Sequence, residues 1–191
     1  MDEQQAIQAL KHGKIDGLAF LVSTYQLKAI RVAYLVTHDP QLAQDVVQDA
    51  FLQVHRSAGS FDARRPFEPW FMRSVVRAAV KAAHKADRQL PLSSLQSQAP
   101  GADDDQAERW LVAQGSVEAQ VESAEEEQRI WQALRQLSPR QRAVIVQRYF
   151  LEMNEKEMAL ELQAAPGTVK WLLNAARRRL RSLLGSERSA R

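Results

Sequence analysis

Hydrophobic residues recur every three or four positions along most of the chain, a spacing that places them on one face of an α-helix. Segments that alternate hydrophobic and polar residues, as half-buried strands do, are absent from the sequence. The pattern therefore predicts an all-α protein. A short first helix ends near Gly13, and longer helices are expected over residues 16–37, 40–56, 70–88, 123–137, 139–150, 154–163 and 168–184.

Three of these helices begin with recognisable capping residues. Asp39 precedes Pro40, and Ser138 precedes Pro139, which pairs an N-cap side chain with a proline at the first helical position. Asn154 is followed three residues later by Glu157, the spacing of a capping box. These local signals fix the starts of three helices.

Helical periodicity is lost between residues 89 and 121, where proline, serine, glycine and an Asp103-Asp104-Asp105 block occur. Residues 1–99 carry 12 basic and 9 acidic side chains, residues 100–127 carry 1 and 9, and residues 128–191 carry 13 and 5. We therefore predict two helical domains, 1–90 and 123–191, joined by a flexible acidic linker, 91–122. Trp110-Leu111-Val112 stands out in this linker, where we predict a short docking segment.

The helix over 40–56 has an unusual polar face. Its apolar side chains form one arc, whereas Asp45, Gln48 and Asp49 lie on the other arc around Leu52. A single exposed leucine is common, so one interpretation is an ordinary solvated face. The other is a protein-binding patch with a hydrophobic anchor and an acidic rim.

The helix over 70–88 carries basic residues at four-residue intervals: Arg73, Arg77, Lys81 and Lys85. Like charges at this spacing oppose helix formation, so an anionic partner is expected to compensate them. Trp70 begins the stripe, and the preceding loop adds Phe61, Arg64, Arg65 and Phe67. Basic and aromatic residues together are typical of nucleic-acid binding, although Trp70 alone also fits a core position.

A short helix, a tight turn at 164–167 and a longer basic helix form a helix-turn-helix pattern, in which the second helix enters the DNA major groove. The same geometry also occurs as plain packing. The basic run near residue 178 favours DNA binding. The polar face of the last helix carries Thr168, Lys170, Trp171, Asn174, Arg178 and Arg181, with Arg177 near its boundary.

Several classes of function are disfavoured by what the sequence lacks. It has no cysteine, its four histidines are scattered, and neither a glycine-rich phosphate loop nor a serine-centred elbow occurs. We expect no catalytic residues, no metal site and no cofactor. No segment approaches the ~20 apolar residues of a membrane span, and the polar N-terminus does not resemble a signal peptide, so a cytoplasmic protein is expected.

Over nearly its whole length the chain resembles the extracytoplasmic-function (group 4) sigma factors of the sigma-70 family. The resemblance rests on several motifs in order, each modest alone. They are Asp45-Val46-Val47-Gln48-Asp49-Ala50-Phe51-Leu52, Phe61, Trp70-Phe71-Met72-Arg73, Leu137-Ser138-Pro139-Arg140-Gln141-Arg142, Glu157-Met158-Ala159 and Gly167-Thr168-Val169-Lys170. Trp171 departs from the serine typical of its position.

This resemblance implies a promoter-specificity factor that binds core RNA polymerase and melts the −10 region of promoter DNA. The β′ clamp would be bound by Asp45, Gln48, Asp49 and Leu52. The −10 element would be bound by Phe61, Arg64, Arg65, Trp70, Arg73, Arg77, Lys81 and Lys85. The −35 element would be bound by Thr168, Lys170, Trp171, Asn174, Arg177, Arg178 and Arg181, in a domain that also contacts the β flap. An anti-sigma factor is an expected further partner.

Two alternatives stay open on the sequence. One is a helix-turn-helix regulator that acts without stoichiometric binding to core polymerase, which leaves the Asp45 to Leu52 motif and the Trp70 helix unexplained. The other is an interaction module in which the first domain only titrates partners.

Overall fold

The structure, a computed structural model, describes residues 1–89 and 120–186, with side-chain environments for residues 1–86 and 128–185. Every regular element in these ranges is helical, which confirms the all-α prediction. The predicted docking segment at Trp110 and nearly all of the 91–122 linker lie outside the described residues. The α-helices are α1 (Glu3–Lys11), α2 (Ile15–Thr37), α3 (Pro40–Ser57), α4 (Phe67–Gln89), α5 (Gln120–Arg135), α6 (Pro139–Tyr149), α7 (Glu155–Glu161) and α8 (Pro166–Ser186), with a 3₁₀ turn at Ala58–Ser60.

The first four helices form one bundle in which α2 packs against α1, α3 and α4. An aromatic cluster lies at its centre, where the Phe71 ring is fully buried with its centroid 4.5 Å from that of Phe51 and 5.4 Å from that of Phe67. Burial of one such ring contributes about 1.5–3 kcal/mol. The apolar faces of α3 and α4 are therefore held inward, and their polar faces point away from this core.

A close helix crossing sets the position of α1. A Cβ atom placed on Gly17 would lie 2.2 Å from the carbonyl oxygen of Ala6 and 2.8 Å from the amide nitrogen of Leu10. Both neighbours are backbone atoms, which cannot rotate aside. Only glycine allows α1 and α2 to approach this closely.

The predicted caps are confirmed at all three helices. Asp39 Oδ1 accepts the backbone N–H of Leu42 at 2.9 Å, and Pro40 occupies the first turn. Ser138 and Gln141 form a reciprocal capping box, as do Asn154 and Glu157. Each interaction satisfies backbone donors that the helix itself leaves free, so these helix starts follow from local chemistry.

Three helices begin at least two residues earlier than their sequence pattern predicted, and one of them is α5, which begins at Gln120 and not at Ser123. The expected start of the fourth helix at Trp70 was wrong, since α4 begins at Phe67, and the last helix begins at Pro166 and not at Thr168. In both cases a proline, Pro69 or Pro166, was read as part of a loop. The first turn of a helix tolerates proline because its N–H groups have no intrahelical partners.

The second bundle contains α5 to α8. Helix α6 packs on α8, and the short helix α7 packs on both. Gln163, which follows the C-cap residue Leu162 of α7, adopts a left-handed conformation (φ 49°). Thr168 donates its backbone N–H to Ala165 O at 2.9 Å as α8 begins. The resulting helix, turn and longer helix confirm the predicted helix-turn-helix.

The two bundles pack against each other, which the sequence left open. Helix α6 contacts both α2 and α4. The Arg142 guanidinium is buried between the bundles and donates from Nε to Val36 O at 2.7 Å and from Nη1 to Leu137 O at 3.0 Å. Trp131 of α5 lies against Tyr34 of α2, with ring centroids 5.4 Å apart.

Candidate nucleic-acid interface

Four side chains on the outer face of α3 form what we call the acidic patch: Asp45, Gln48, Asp49 and Leu52. All four are exposed, and 41% of the Leu52 surface is accessible. The Asp45 carboxylate accepts a hydrogen bond from Gln41 Nε2 at 3.0 Å. An exposed leucine within an acidic rim offers a protein partner both an apolar contact and a charged boundary.

The predicted row of four basic side chains on α4, the basic stripe, lies on one side of the first bundle. Arg77, Lys81 and Lys85 are exposed, and Arg73 is half-buried. The opposite side of α4 enters the core through residues such as Phe71 and Val75. The stripe is therefore a surface and not a core feature, as its charge requires.

Trp70 lies between the basic stripe on the surface and the core of the first bundle. Its ring is half-buried, with its centroid 4.7 Å from that of Phe61 and 5.7 Å from that of Phe67. Phe61 itself is only 8% exposed. The two rings border an apolar hollow whose lining is Ile7, Leu10, Leu21, Val54, Ala58, Phe61, Phe67 and Trp70. The accessible part of Trp70 is the larger surface available for stacking, because Phe61 packs mainly inward.

The loop ahead of α4 has its own charge pair. Asp62 accepts from Arg64 Nε at 3.0 Å and from Arg64 Nη2 at 3.3 Å, and Arg65 Nε lies 4.0 Å from its second oxygen. The hydrogen bonds from Arg64 hold the pKa of this carboxyl below its ordinary value. Both arginines are exposed, so the loop presents positive charge to solvent.

The first two turns of α8 expose a set of side chains that we call the recognition face. Thr168, Lys170, Trp171 and Asn174 are all accessible, and 62% of the Trp171 surface is exposed. The opposite side of α8 is buried through Val169, Leu172 and Leu173. A large aromatic ring, the amide of Asn174 and the ammonium of Lys170 are thus all accessible at the start of α8, a mixture able to contact both bases and phosphates.

Further along α8, Arg178 and Arg181 are exposed, whereas Arg177 packs against α6. Arg177 Nε donates to the Tyr149 hydroxyl at 3.0 Å, and its guanidinium carbon lies 5.7 Å from the Tyr149 ring centroid. The boundary position predicted for Arg177 on the helical wheel corresponds to this contact with the preceding helix.

Two ion pairs join the basic stripe to the second bundle. Arg73 Nη2 lies 3.0 Å from Glu157 Oε1, and Arg77 Nη2 lies 2.6 Å from Glu161 Oε2. Acceptance of the Asn154 backbone N–H lowers the pKa of Glu157, and the Arg73 charge adds to this shift. Two of the four basic side chains are thus already engaged by carboxylates of α7.

Comparison with known proteins agrees with this geometry. Residues 21–89 match the model of sigma-70 region 2, and residues 127–180 match that of sigma-70 region 4. SigW of Bacillus subtilis, an ECF RNA polymerase sigma factor, is 28% identical over 182 residues, with 95% of this chain and 96% of SigW covered. SigM of Mycobacterium tuberculosis, another ECF sigma factor, is 35% identical over 155 residues, with coverage of 81% and 70%. The chain belongs to the ECF family of RNA polymerase sigma factors.

The fold of this sigma factor is also found in a solved structure. The sigma factor RpoE of Bartonella quintana, in complex with the anti-sigma factor NepR, superposes with a TM-score of 0.56 at 22% identity. The match covers 83% of this chain and 91% of RpoE. Among the described helices of the sigma factor, none has the length and apolar character needed to cross a bilayer.

Sequence reasoning missed Glu161 and the interbundle roles of Arg142 and Glu157. It named Arg142 only within a family motif, and Glu157 only as a capping residue and within another such motif. Arg142 is 7% exposed, and an isolated arginine in a basic domain gives no sign that it will be buried. A signal for the glutamates does exist. Glu157 and Glu161 are four residues apart on one helix, as Arg73 and Arg77 are on another, so the two pairs match in spacing.

Proposed function

We propose that this sigma factor directs core RNA polymerase to promoters by binding the enzyme through its first bundle and promoter DNA through both bundles. The region-2-like domain, residues 1–90, docks on the β′ clamp and holds the −10 element. The region-4-like domain, residues 123–191, reads the −35 element and contacts the β flap. The acidic linker, 91–122, joins them.

The acidic patch is the docking surface for the clamp. Asp45 and Asp49 supply charge at its rim, and Leu52 supplies the apolar anchor. Desolvated apolar anchors carry most of the energy of such contacts, whereas rim charges govern orientation and association rate. The exposure of this leucine within the patch supports the assignment.

The basic stripe and the loop before it bind the melted −10 strand. Arg73, Arg77, Lys81 and Lys85 follow the phosphate backbone, with Arg64 and Arg65 adding charge from the loop. An extruded base stacks on the accessible part of Trp70, and Phe61 supports that ring from behind. Extrusion costs a few kcal/mol of lost base stacking, which the contact with Trp70 and the phosphate contacts offset.

The recognition face of α8 enters the major groove of the −35 element. Asn174 and Lys170 reach base edges, Thr168 contacts the backbone, and Trp171 packs on a thymine methyl group. Arg178 and Arg181 neutralise phosphates farther along the helix, and Arg177 adds positive charge from its position beside Tyr149. The mode of docking is that of a helix-turn-helix.

The sigma factor acts by binding alone, with no catalytic residue, metal or cofactor, and it functions in the cytoplasm with polymerase and DNA. An anti-sigma factor is a further partner. Support comes from the Bartonella quintana relative in fold, which is known in a complex with such an inhibitor. An inhibitor that covers the acidic patch or the basic stripe would prevent initiation.

One observation carries the proposal: four exposed residues of the acidic patch and the exposed part of the basic stripe lie on adjacent helices of one bundle. The direct test is transcription by purified core polymerase on a pooled promoter library, with and without the protein. The expected result is a set of transcripts that share −10 and −35 sequences. Transcripts identical to those of core polymerase alone would contradict the proposal.

The helix-turn-helix alone would also fit a regulator that acts without polymerase. Such a protein binds duplex DNA through α8 but forms no stoichiometric complex with core polymerase. Co-purification with core enzyme separates the two functions. A role as an interaction module that only titrates partners is tested on a template whose −10 region is already unpaired, where it would yield no transcript.

A further inference from the structure

The contact between the bundles occupies part of the proposed DNA-binding surface. The Arg73 side chain, paired with Glu157, is 31% exposed. The Arg77 side chain is 59% exposed, and its partner Glu161 is 18% exposed. The two remaining basic residues of the stripe, Lys81 and Lys85, are exposed. The half of the stripe nearest Trp70 is therefore engaged by carboxylates, although Arg77 keeps much of its surface accessible, and the far half is open.

The carboxylates repeat with the spacing of the residues that they bind. Glu157 and Glu161 lie one turn apart on α7, and Arg73 and Arg77 lie one turn apart on α4. Each glutamate presents its negative charge at a position where a DNA phosphate would otherwise pair with the same guanidinium. While a guanidinium is paired with a carboxylate its charge is largely neutralised, so a phosphate gains less from approaching it.

The arrangement has further support away from the ion pairs. Arg142 links α6 to the carboxyl end of α2 through Val36 O, where a cation also meets the favourable end of the helix dipole. The rings of Trp131 and Tyr34 also pack on each other across the contact between the two bundles. The glutamates are thus held against α4 by a packed interface and not by their charges alone.

We propose that the closed arrangement is self-inhibitory: the second bundle uses Glu157 and Glu161 to mask the −10 surface until the bundles separate. The inference rests on the proposed role of Arg73 and Arg77 in DNA binding. The acidic patch on α3 stays exposed in the closed form. Polymerase can therefore engage the closed factor through α3, and promoter DNA requires the open one.

Such a mask must be weak enough to open. Ion pairs with exposed partners contribute little, so each of the two pairs changes the balance between the closed and open forms by a modest free energy. The apparent affinity for DNA is the affinity of the open form multiplied by the fraction of molecules that are open. Loss of one ion pair should then tighten DNA binding by about threefold, and higher salt should favour the open form.

The position of the bundles is measured by fluorescence energy transfer in the full chain, with dyes at Gln8→Cys in α1 and Ser182→Cys in α8. Both sites are exposed, and the chain has no other cysteine. Arg77→Glu places two carboxylates in contact and should lower the transfer efficiency. The exchanged pair Arg77→Glu with Glu161→Arg should restore it. Lys81→Glu makes the same charge change one turn away and should leave the efficiency at its wild-type value.

Binding of a labelled mixed-sequence single-stranded DNA gives the functional measurement. Glu161→Gln should bind about threefold more tightly than wild type. Glu152→Gln removes the same charge from an exposed position of the second bundle and should have a smaller effect. Equal effects of these two variants, or equal transfer efficiencies for Arg77→Glu and Lys81→Glu, would overturn self-inhibition.

A different result would contradict the proposed role of the basic stripe in DNA binding. If Arg77→Glu and Lys81→Glu both leave DNA affinity at the wild-type value, the basic stripe is not the −10 surface. The energy-transfer results would still report whether the ion pairs hold the bundles together. The two ideas are thus separated by two measurements on the same variants.

Discussion

Arg142 of α6 donates a hydrogen bond to the carbonyl oxygen of Val36 in α2, with an Nε to O distance of 2.7 Å. The donor and acceptor belong to different bundles and lie 106 residues apart in sequence. Val36 is near the end of α2, which His38 caps in a left-handed conformation (φ 53°). The contact therefore brings a positive charge close to a titratable ring.

His38 should make stability fall in mild acid. Burial, followed by the charges of Arg142 and Arg135, lowers the pKa of His38 from 6.5 to about 3, and neither ring nitrogen has a hydrogen-bond partner within the described residues. The rings of Tyr34 and Trp131 also face it. A lowered pKa means that unfolded His38 binds a proton below pH 6.5 while the folded form stays neutral. The contribution of His38 to stability is therefore fully present above pH 6.5 and is lost progressively as the pH falls from 6.5 towards 3.

Chemical denaturation at pH 7 and pH 5.5 measures this effect. The free energy of unfolding of the wild type should fall by about 1 kcal/mol over that interval. His38→Asn should show a smaller fall, because asparagine does not titrate and tolerates the left-handed conformation. An equal fall in both proteins would show that His38 is not the group responsible.

Gly17→Ala should destabilise the first bundle. The added methyl would lie 2.2 Å from Ala6 O, so α1 must shift away from α2, at a cost of about 1–3 kcal/mol. Urea denaturation measures the change. Gly59→Ala is the matched control, since its Cβ would have no neighbour within 4 Å. The prediction is wrong if the two variants unfold at the same urea concentration.

Trp171→Ala should weaken binding upstream while leaving −10 melting intact. Its exposed ring would lose the contact with a thymine methyl, which reduces affinity for the −35 duplex by about tenfold. Footprinting measures protection at −35, and permanganate reactivity measures melting at −10. Leu160→Ala removes another exposed apolar side chain, outside the recognition face, and should change neither. Unaltered −35 protection in Trp171→Ala would leave the ring to another role, such as inhibitor binding.

Local features of the structure could be predicted from sequence because their causes are local. Three helices are capped by side chains that bond to atoms two or three residues away, namely those of Asp39, Ser138 and Asn154. A 3.6-residue period also assigns Phe71 inward and Arg77 outward without knowledge of any other element. The same reasoning placed Leu52 on the surface. Prolines in first turns misled it at Phe67 and Pro166, since proline both ends and begins helices.

Contacts between distant segments could not be predicted in the same way. The pairing of Arg73 with Glu157 spans 84 residues, and the flexible linker predicted from the sequence is compatible with both packed and separated bundles. Phe61 was expected to be available for stacking, yet its ring packs mainly inward against Trp70 and Phe67. Periodicity gives the direction of a helical side chain, whereas the direction of a loop side chain depends on what it packs against.

The most direct test of the whole account is the binding of purified core RNA polymerase to the full chain and to Asp49→Arg, measured by sedimentation. The wild type should form a stoichiometric complex, and Asp49→Arg should lose at least about tenfold in affinity while its circular dichroism is unchanged. Gln26→Arg, a change at an exposed position of α2, should bind as wild type does. No complex with the wild type, or an Asp49→Arg variant that binds as tightly, would contradict the role assigned to the acidic patch.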